Sequence, residues 1–285
     1  MTTNSLQTLL VGFQGAISGT FRVGGPYYDI YKNGQDYVRL RLEDFSGHIY
    51  AFSWQQDVMR SPGMHDLSRV YVEGQIRQRG DQKVVELDTL IPARISYSDI
   101  VRLIPQQICP LPNLLPELAS VLRLISHPAL CQFIWQVLVD DTIAFPFVAC
   151  PGSLNHHHNY PGGLLQHSLE NVSVVESQSR FSQEDCQLGL VAALFHDIGK
   201  ILTLTPQMTL TSLGETVEHG KLTMELLGPA SHQLHKDWPE GAKKLRYLLG
   251  WKTNRSIPHY NVADLVACGD RISAGLDLDK RRKKA

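Results

Sequence analysis

No apolar run in this sequence reaches the ~18 residues that a membrane-crossing helix needs, so no membrane partner is expected. The stretch from Met1 to Gly15 lacks a basic region ahead of its apolar patch, which argues against a secretory leader. Both absences point to a soluble, cytoplasmic protein. Cysteine is scarce: Cys109, Cys131, Cys150, Cys186 and Cys268 are odd in number and form no CxxC pair. That excludes a disulfide framework and a zinc ribbon, and leaves the thiols as small buried groups. An excess of one charge is also lacking. The formal net charge is -1, and basic and acidic residues balance in both halves, so nothing draws the whole molecule to a polyanion. The one basic run, Lys280 to Lys284, reads as a solvated tail able to add non-specific phosphate contacts. No internal repeat or low-complexity stretch is present.

What is present suffices for a substantial core. The chain has 285 residues, 43% of them hydrophobic and 19% charged, enough for one large domain or two ordinary ones. Residues 9–95 read as β. Val38, Leu40 and Leu42 alternate with Arg39 and Arg41, a half-buried strand. Phe45-Ser46-Gly47 makes a turn into a second strand that reaches Trp54. Val70 to Ile76 is a third strand, and the turn Arg79-Gly80-Asp81-Gln82 returns the chain as a fourth, Lys83 to Leu90. About five strands in this length fit an OB-like Greek-key barrel.

Residues 104–116 hold four prolines and mark a linker. Helical periodicity follows: Leu114 to Val139 with a break at Pro128, Gly163 to Ser177, a run to Leu204 that Ser182 and Asp185 open as a capping box, and Thr216 to Leu227 stopped by Gly228-Pro229. Lys243 to Leu249 and Val262 to Ile272 complete the set. The expected organisation is an OB-like domain over 1–103, a linker over 104–116, an all-α domain over 117–279 and a basic tail over 280–285.

The helical part concentrates histidine. Six of the 12 lie between residues 156 and 219: His156, His157, His158, His167, His196 and His219. His196 and Asp197 adjoin at the end of an apolar helix, in Leu194-Phe195-His196-Asp197-Ile198-Gly199-Lys200. A polar pair among such neighbours is costly to bury unless a cation or partner neutralises it. His167 on the preceding helix, His219 on the following one and Asp270 on the last apolar helix supply further imidazole and carboxylate groups, the donor types a divalent ion takes.

On these residues the sequence resembles the HD-domain superfamily of metal-dependent phosphohydrolases, over roughly residues 145–275, in the order H…HD…D with the HDxGK extension. The resemblance implies an HD fold for the all-α domain, with His167, His196, Asp197 and Asp270 as metal ligands and Lys200 facing substrate phosphate. The run Phe145 to His167, with its triple histidine before Pro161-Gly162-Gly163-Leu164-Leu165, is similar to two groups. One is the YhaM family of 3′-5′ exoribonucleases, which join an OB-fold to an HD domain. The other is the HD-type TraI/MobH relaxase domain of conjugative elements. The barrel pattern Leu40-x-Leu42-x-Asp44-x-Ser46-Gly47-x-Ile49 is similar to the first, and the triple histidine to the second. Many dinuclear HD proteins carry two later histidines; Leu248-Leu249-Gly250-Trp251-Lys252 stands there instead. One ion is therefore expected rather than two, with His219 touching substrate or a bridging water. The family favours Mn²⁺, and mixed N/O ligation also suits Fe, Ni²⁺ or Zn²⁺, with Mg²⁺ as a further candidate.

The expected chemistry is metal-assisted attack of water on phosphorus, with one of His156, His157 or His158 protonating the leaving oxygen. The barrel would hold a single strand by stacking bases on Tyr50, Phe52 and Trp54 and tracking phosphates with Arg39 and Arg41, extended by Tyr71 and Arg77. The expected function is a 3′-5′ exonuclease on single-stranded RNA or DNA. The alternatives are a relaxase-like or accessory DNA-processing protein, and a nucleotide phosphohydrolase. A homo-oligomer is compatible with either.

Overall fold

The alternation of Val38, Leu40 and Leu42 with arginines becomes a strand whose apolar side is fully inside a barrel. In the computed structural model, which describes Leu6 and residues 15–178, 180–251 and 257–282, the chain divides into two compact units, 1–107 and 108–285. Lys283 and Lys284 of the basic run lie outside the described residues.

The first unit is a closed five-stranded barrel, consistent with an OB-like fold. Its strands are β1 (Ala16–Ile30), β2 (Asp36–Asp44), β3 (Gly47–Ser53), β4 (Arg69–Arg79) and β5 (Gln82–Pro92), with a short helix α1 (Gln56–Met59) after β3. They close in the order β1-β2-β3-β5-β4, with β3 and β5 parallel and every other pair antiparallel. The first strand is the one whose sequence does not announce it. β1 pairs with β4 through residues 16–22 and with β2 through residues 22–30, and its register shifts between Gly24 and Tyr27. The shift bends one strand across two walls, which is how bulges close small barrels.

The second unit is helical: α2 (Leu114–Leu124), α3 (Pro128–Leu138), α4 (Asp141–Ala149), α5 (Gly163–Glu176), α6 (Gln183–Phe195), α7 (Lys200–Thr203), α8 (His219–Leu226), α9 (Gly228–Asp237), α10 (Pro239–Gly250) and α11 (Val262–Arg282). The proline-rich stretch gives way to helix at Leu114. Ser182 caps α6, its hydroxyl accepting from the Asp185 amide, while the Asp185 carboxylate pairs with Lys244. Gly228-Pro229 does not end the helical region. Proline suits the first turn of a helix, and the pair opens α9. The last helix runs through Arg282, so the basic run begins as its final turn.

From Gln187 to Phe195, α6 is buried on every side, which explains why its sequence shows an apolar run and no polar stripe there. α5 and α11 pack against it and against each other. These three helices bring the polar residues of the site together.

Candidate functional site

The chain reaches the site first at α5. Gly162, before this helix, has φ +80°, a left-handed conformation that favours glycine. The entry turn points His167 inward, where it is wholly buried. α6 then ends at Phe195. Amides of Ile198 and Lys200 bond back only three residues, to the carbonyls of Phe195 and Asp197. This tight turn departs from α-helical spacing, so both His196 and Asp197 face the same point. Gly199 is needed here for closeness. A Cβ on it would stand 2.2 Å from the His219 carbonyl oxygen. α11 supplies Asp270 from the far side.

Four acceptor atoms converge. His167 Nε2 lies 3.1 Å from His196 Nε2, 3.1 Å from Asp270 Oδ1 and 3.5 Å from Asp197 Oδ2. His196 Nε2 is 3.5 Å from Asp197 Oδ2 and 3.8 Å from Asp270 Oδ1. Ligands about 2.1 Å from one ion stand roughly 3.0 Å apart at an octahedral edge and roughly 3.4 Å apart at a tetrahedral one. His167, His196 and Asp270 place their ligand atoms within 4.8 Å of one another, a group able to hold one ion, and Asp197 Oδ2 stands 3.5 Å from both rings beside it.

Proton placement sharpens the fit. His196 Nδ1 bonds at 2.9 Å to the Ala193 carbonyl, which can only accept, so this nitrogen carries the hydrogen. The Ser273 hydroxyl donates to Glu170 Oε2 at 2.7 Å, so it accepts from His167 Nδ1 at 2.9 Å. With these hydrogens on Nδ1, each ring turns its Nε2 toward the other ring and toward two carboxylates. Such a set repels itself unless a cation sits among it. Burial disfavours charge on His167, yet the hydrogen bonds that its ring donates to the Asp197 and Asp270 carboxylates raise its pKa: without a metal, a proton is drawn in. Asp197 and Asp270 are held well below the ordinary carboxylate range. Burial opposes this, but Lys200 and His196 outweigh it for Asp197, as His167 and His196 do for Asp270.

The remaining sequence candidates surround this centre. Lys200, almost buried, places Nζ 2.6 Å from Asp197 Oδ2, and His219 Nε2 meets Asp197 Oδ1 at 3.1 Å. The triplet divides in three. His156 is exposed. His157 faces the centre, its pKa lowered to about 4 by burial and by neighbouring positive charge, and is neutral at neutral pH. His158 is fully buried, with φ 52°, its amide donating to Asp277 and its Nε2 3.1 Å from Glu170. His157, His158 and His167 form a second group of ring nitrogens within 4.8 Å of one another. Sequence reasoning missed Glu170 and Ser273. Glu170 sits three residues after His167 and Ser273 three after Asp270, one helical turn along the same faces, and that spacing was the available signal.

Two cavities open on the centre. One, of about 420 Å³, is lined by His196, Asp197, Asp270 and Trp251; the other, of about 580 Å³, by residues 152–157 and 214–219. His157, Lys200 and His219 border both.

No protein-family model matches the chain, and no curated protein matches it. A solved structure of a replication protein A heterotrimer bound to ssDNA is similar at 18% identity, covering 30% of this chain, with a TM-score of 0.24. The match spans 62% of that other chain's length. A likeness this low carries no argument, and the site stands on its own geometry.

On the barrel, Arg39 pairs with Phe52 and Arg41 with Tyr50, so these four share the outer side of β2 and β3. Tyr50 is exposed. Phe52 is covered by the Arg79 guanidinium, 4.0 Å from its ring centre. Trp54 joins Tyr31 and Tyr37, with ring centres 5.4 and 5.1 Å away, and Arg39 lies over Tyr27. Tyr71 stands on β4, two walls away, its hydroxyl donating to Glu73. Arg77, also on β4, is paired with Glu86 at 2.9 Å. The structure thus gathers Arg39, Arg41, Tyr50, Phe52 and Trp54, reaches Arg77 through Glu86, the residue opposite Phe52, and sets Tyr71 apart. Tyr27, Tyr31, Tyr37 and Arg79 were not singled out from sequence: no strand was delimited ahead of Val38, and Arg79 read as a turn residue.

Proposed function

We propose that this protein is a metal-dependent phosphodiesterase, a 3′-5′ exonuclease on single-stranded RNA or DNA, whose sequence runs from an OB-like barrel into an HD domain. The observation that carries it is the gathering of His167 Nε2, His196 Nε2 and Asp270 Oδ1 within 4.8 Å of one another, with Asp197 Oδ2 3.5 Å from both rings. The polarity and the preference for Mn²⁺ follow from the resemblance to YhaM-type exoribonucleases. The mixed N/O set suits Mn²⁺, Fe, Ni²⁺ or Zn²⁺.

A divalent ion at this point supplies Lewis acidity, lowering the pKa of water and drawing charge off a phosphoryl oxygen. The chain's own groups do the rest. Lys200 keeps Asp197 ionised and turns its remaining ammonium hydrogens toward phosphoryl oxygens. His157, neutral, accepts a hydrogen bond from the attacking water and orients it. His219 donates its Nε2 hydrogen to Asp197 and borders both cavities, where it is placed to touch substrate. The exposed outer side of β2 and β3 would hold the strand by stacking and charge.

The test is incubation of purified, metal-assayed protein with 3′- or 5′-end-labelled single strands and Mn²⁺, with and without chelator. Stepwise shortening from the 3′ end, abolished by chelator and by His196→Ala, is expected. Metal-loaded protein that shortens no strand overturns the reading; turnover of free nucleotides alone would make it a nucleotide phosphohydrolase.

A further inference from the structure

One wall of the 420 Å³ cavity takes no part in holding an ion: Leu248, Leu249, Val266 and Trp251. The indole of Trp251 is braced before any ligand arrives. Its Nε1 donates to Asp264 Oδ1 at 2.9 Å, and its ring stacks on Tyr247 with centres 5.4 Å apart and planes at 23°. Tyr247 is fixed in turn, its hydroxyl accepting from the His259 amide at 2.8 Å and its ring meeting Tyr260 edge-on. A rigid, flat, apolar surface loses little entropy when a planar ligand stacks on it. The cavity size falls within the range of about 300–1,000 Å³ typical of small-ligand sites. The second cavity, across Lys200, His157 and His219, is larger still. A group bound over the four donor atoms can therefore extend in both directions, whereas a phosphate monoester would fill one side only.

We propose that the cavity beside Trp251 is a nucleobase subsite: the phosphate sits at the donor atoms, one nucleoside it joins stacks its base on Trp251, and the other nucleoside occupies the second cavity. This rests on the phosphodiesterase reading. It adds that the substrate bears organic groups on both sides of phosphorus, and that Trp251 recognises a base without hydrogen-bond readout, so purines and pyrimidines are both taken.

The test compares wild type, Trp251→Ala and Trp251→Phe in the full chain with Mn²⁺, on a dinucleotide and on its abasic analogue, a small diester that keeps the sugars and phosphate and has no aromatic ring. The expected result is a KM for the dinucleotide raised about tenfold or more in Trp251→Ala and largely restored in Trp251→Phe. On the small diester all three should agree within about twofold. Equal losses on both substrates, or none on the dinucleotide, overturn the subsite. A second measurement does not depend on turnover: photocrosslinking of a phosphorothioate-linked dinucleotide bearing 5-iodouracil, mapped by peptide mass spectrometry. Crosslinks on the peptide holding Trp251 support the subsite, and crosslinks confined to other peptides overturn it. If wild type cleaves no diester yet crosslinks at Trp251, the hydrolase reading fails and the base site stands.

Discussion

His167 Nε2 and His196 Nε2 face each other at 3.1 Å, and each ring carries its hydrogen on the opposite nitrogen. With Asp197 and Asp270 ionised beside them, the native state gathers metal-binding donors that an unfolded chain leaves dispersed. Any cation that fits them stabilises the fold. At a free metal concentration of about 100 Kd the gain is about 2.7 kcal/mol, and a unit of this size melts about 5–10 °C higher. Differential scanning fluorimetry with Mn²⁺, then with excess chelator, checks it. His196→Ala should lose the shift; a wild-type melting point indifferent to Mn²⁺, Zn²⁺, Ni²⁺ and Fe²⁺ would refute the metal centre.

Ser273 never touches the ion position, yet it accepts from His167 Nδ1 and donates to Glu170. Ser273→Ala frees the imidazole to turn or to move its hydrogen to Nε2. Metal affinity should fall about 10–100-fold, the usual effect of removing a partner that orients a ligand. Competition against a fluorescent chelator measures it. Unchanged affinity would mean that packing alone orients His167.

Glu170 sets a pH dependence. Its pKa is pushed down to about 2: burial opposes this, but hydrogen bonds from His158, Ser273 and Gln166 outweigh it. A carboxylate depressed on folding stabilises the native state above its unfolded pKa and loses that contribution as pH falls through the folded value. The window runs from about pH 4.5 down to about 2, and the contribution at neutral pH is on the order of 3 kcal/mol. Urea titrations across this range should show Glu170→Gln with a flatter acid limb than wild type. Parallel limbs would contradict the assignment.

Strand binding separates the walls of the barrel. Tyr50→Ala should weaken single-strand affinity by about 5- to 100-fold if a base stacks there. Arg39→Ala should weaken it and reduce the salt slope by about 0.7 if one phosphate contact is lost. Tyr71→Ala, on β4, should leave affinity within about twofold. Fluorescence anisotropy at several salt concentrations checks all three; an equal effect of Tyr71→Ala would move the binding surface.

Some of this was legible from residue order and some was not, for physical reasons. The period-2 pattern of β2 and β3 placed Arg39, Arg41 and Tyr50 on one outer side without any coordinates, because pleating leaves no choice. β1 escaped because Gly24, Gly25 and Pro26 interrupt its alternation where the strand bends between walls. The helix α9 escaped because Gly228-Pro229 reads as a stop, although proline opens helices as readily as it ends them. His167, His196, Asp197 and Asp270 were nameable because the HDxGK order is distinctive. The supporting Glu170 and Ser273 were not, because an acid and a hydroxyl on helices look like surface residues until the partner helix is in place.

The long strand β1 belongs to two walls at once, pairing residues 16–22 with β4 and residues 22–30 with β2. The β2–β3 and β4–β5 hairpins are local and can form on microsecond timescales. Neither can close the cylinder alone. Closure waits until the start of β1 finds a strand about 50 residues away, so the entropy of that loop sets the barrier. Substitutions along the β1–β4 seam and in the hairpin turns should both slow refolding and change the rate of unfolding little, because both sets of contacts are made by the time the barrier is crossed.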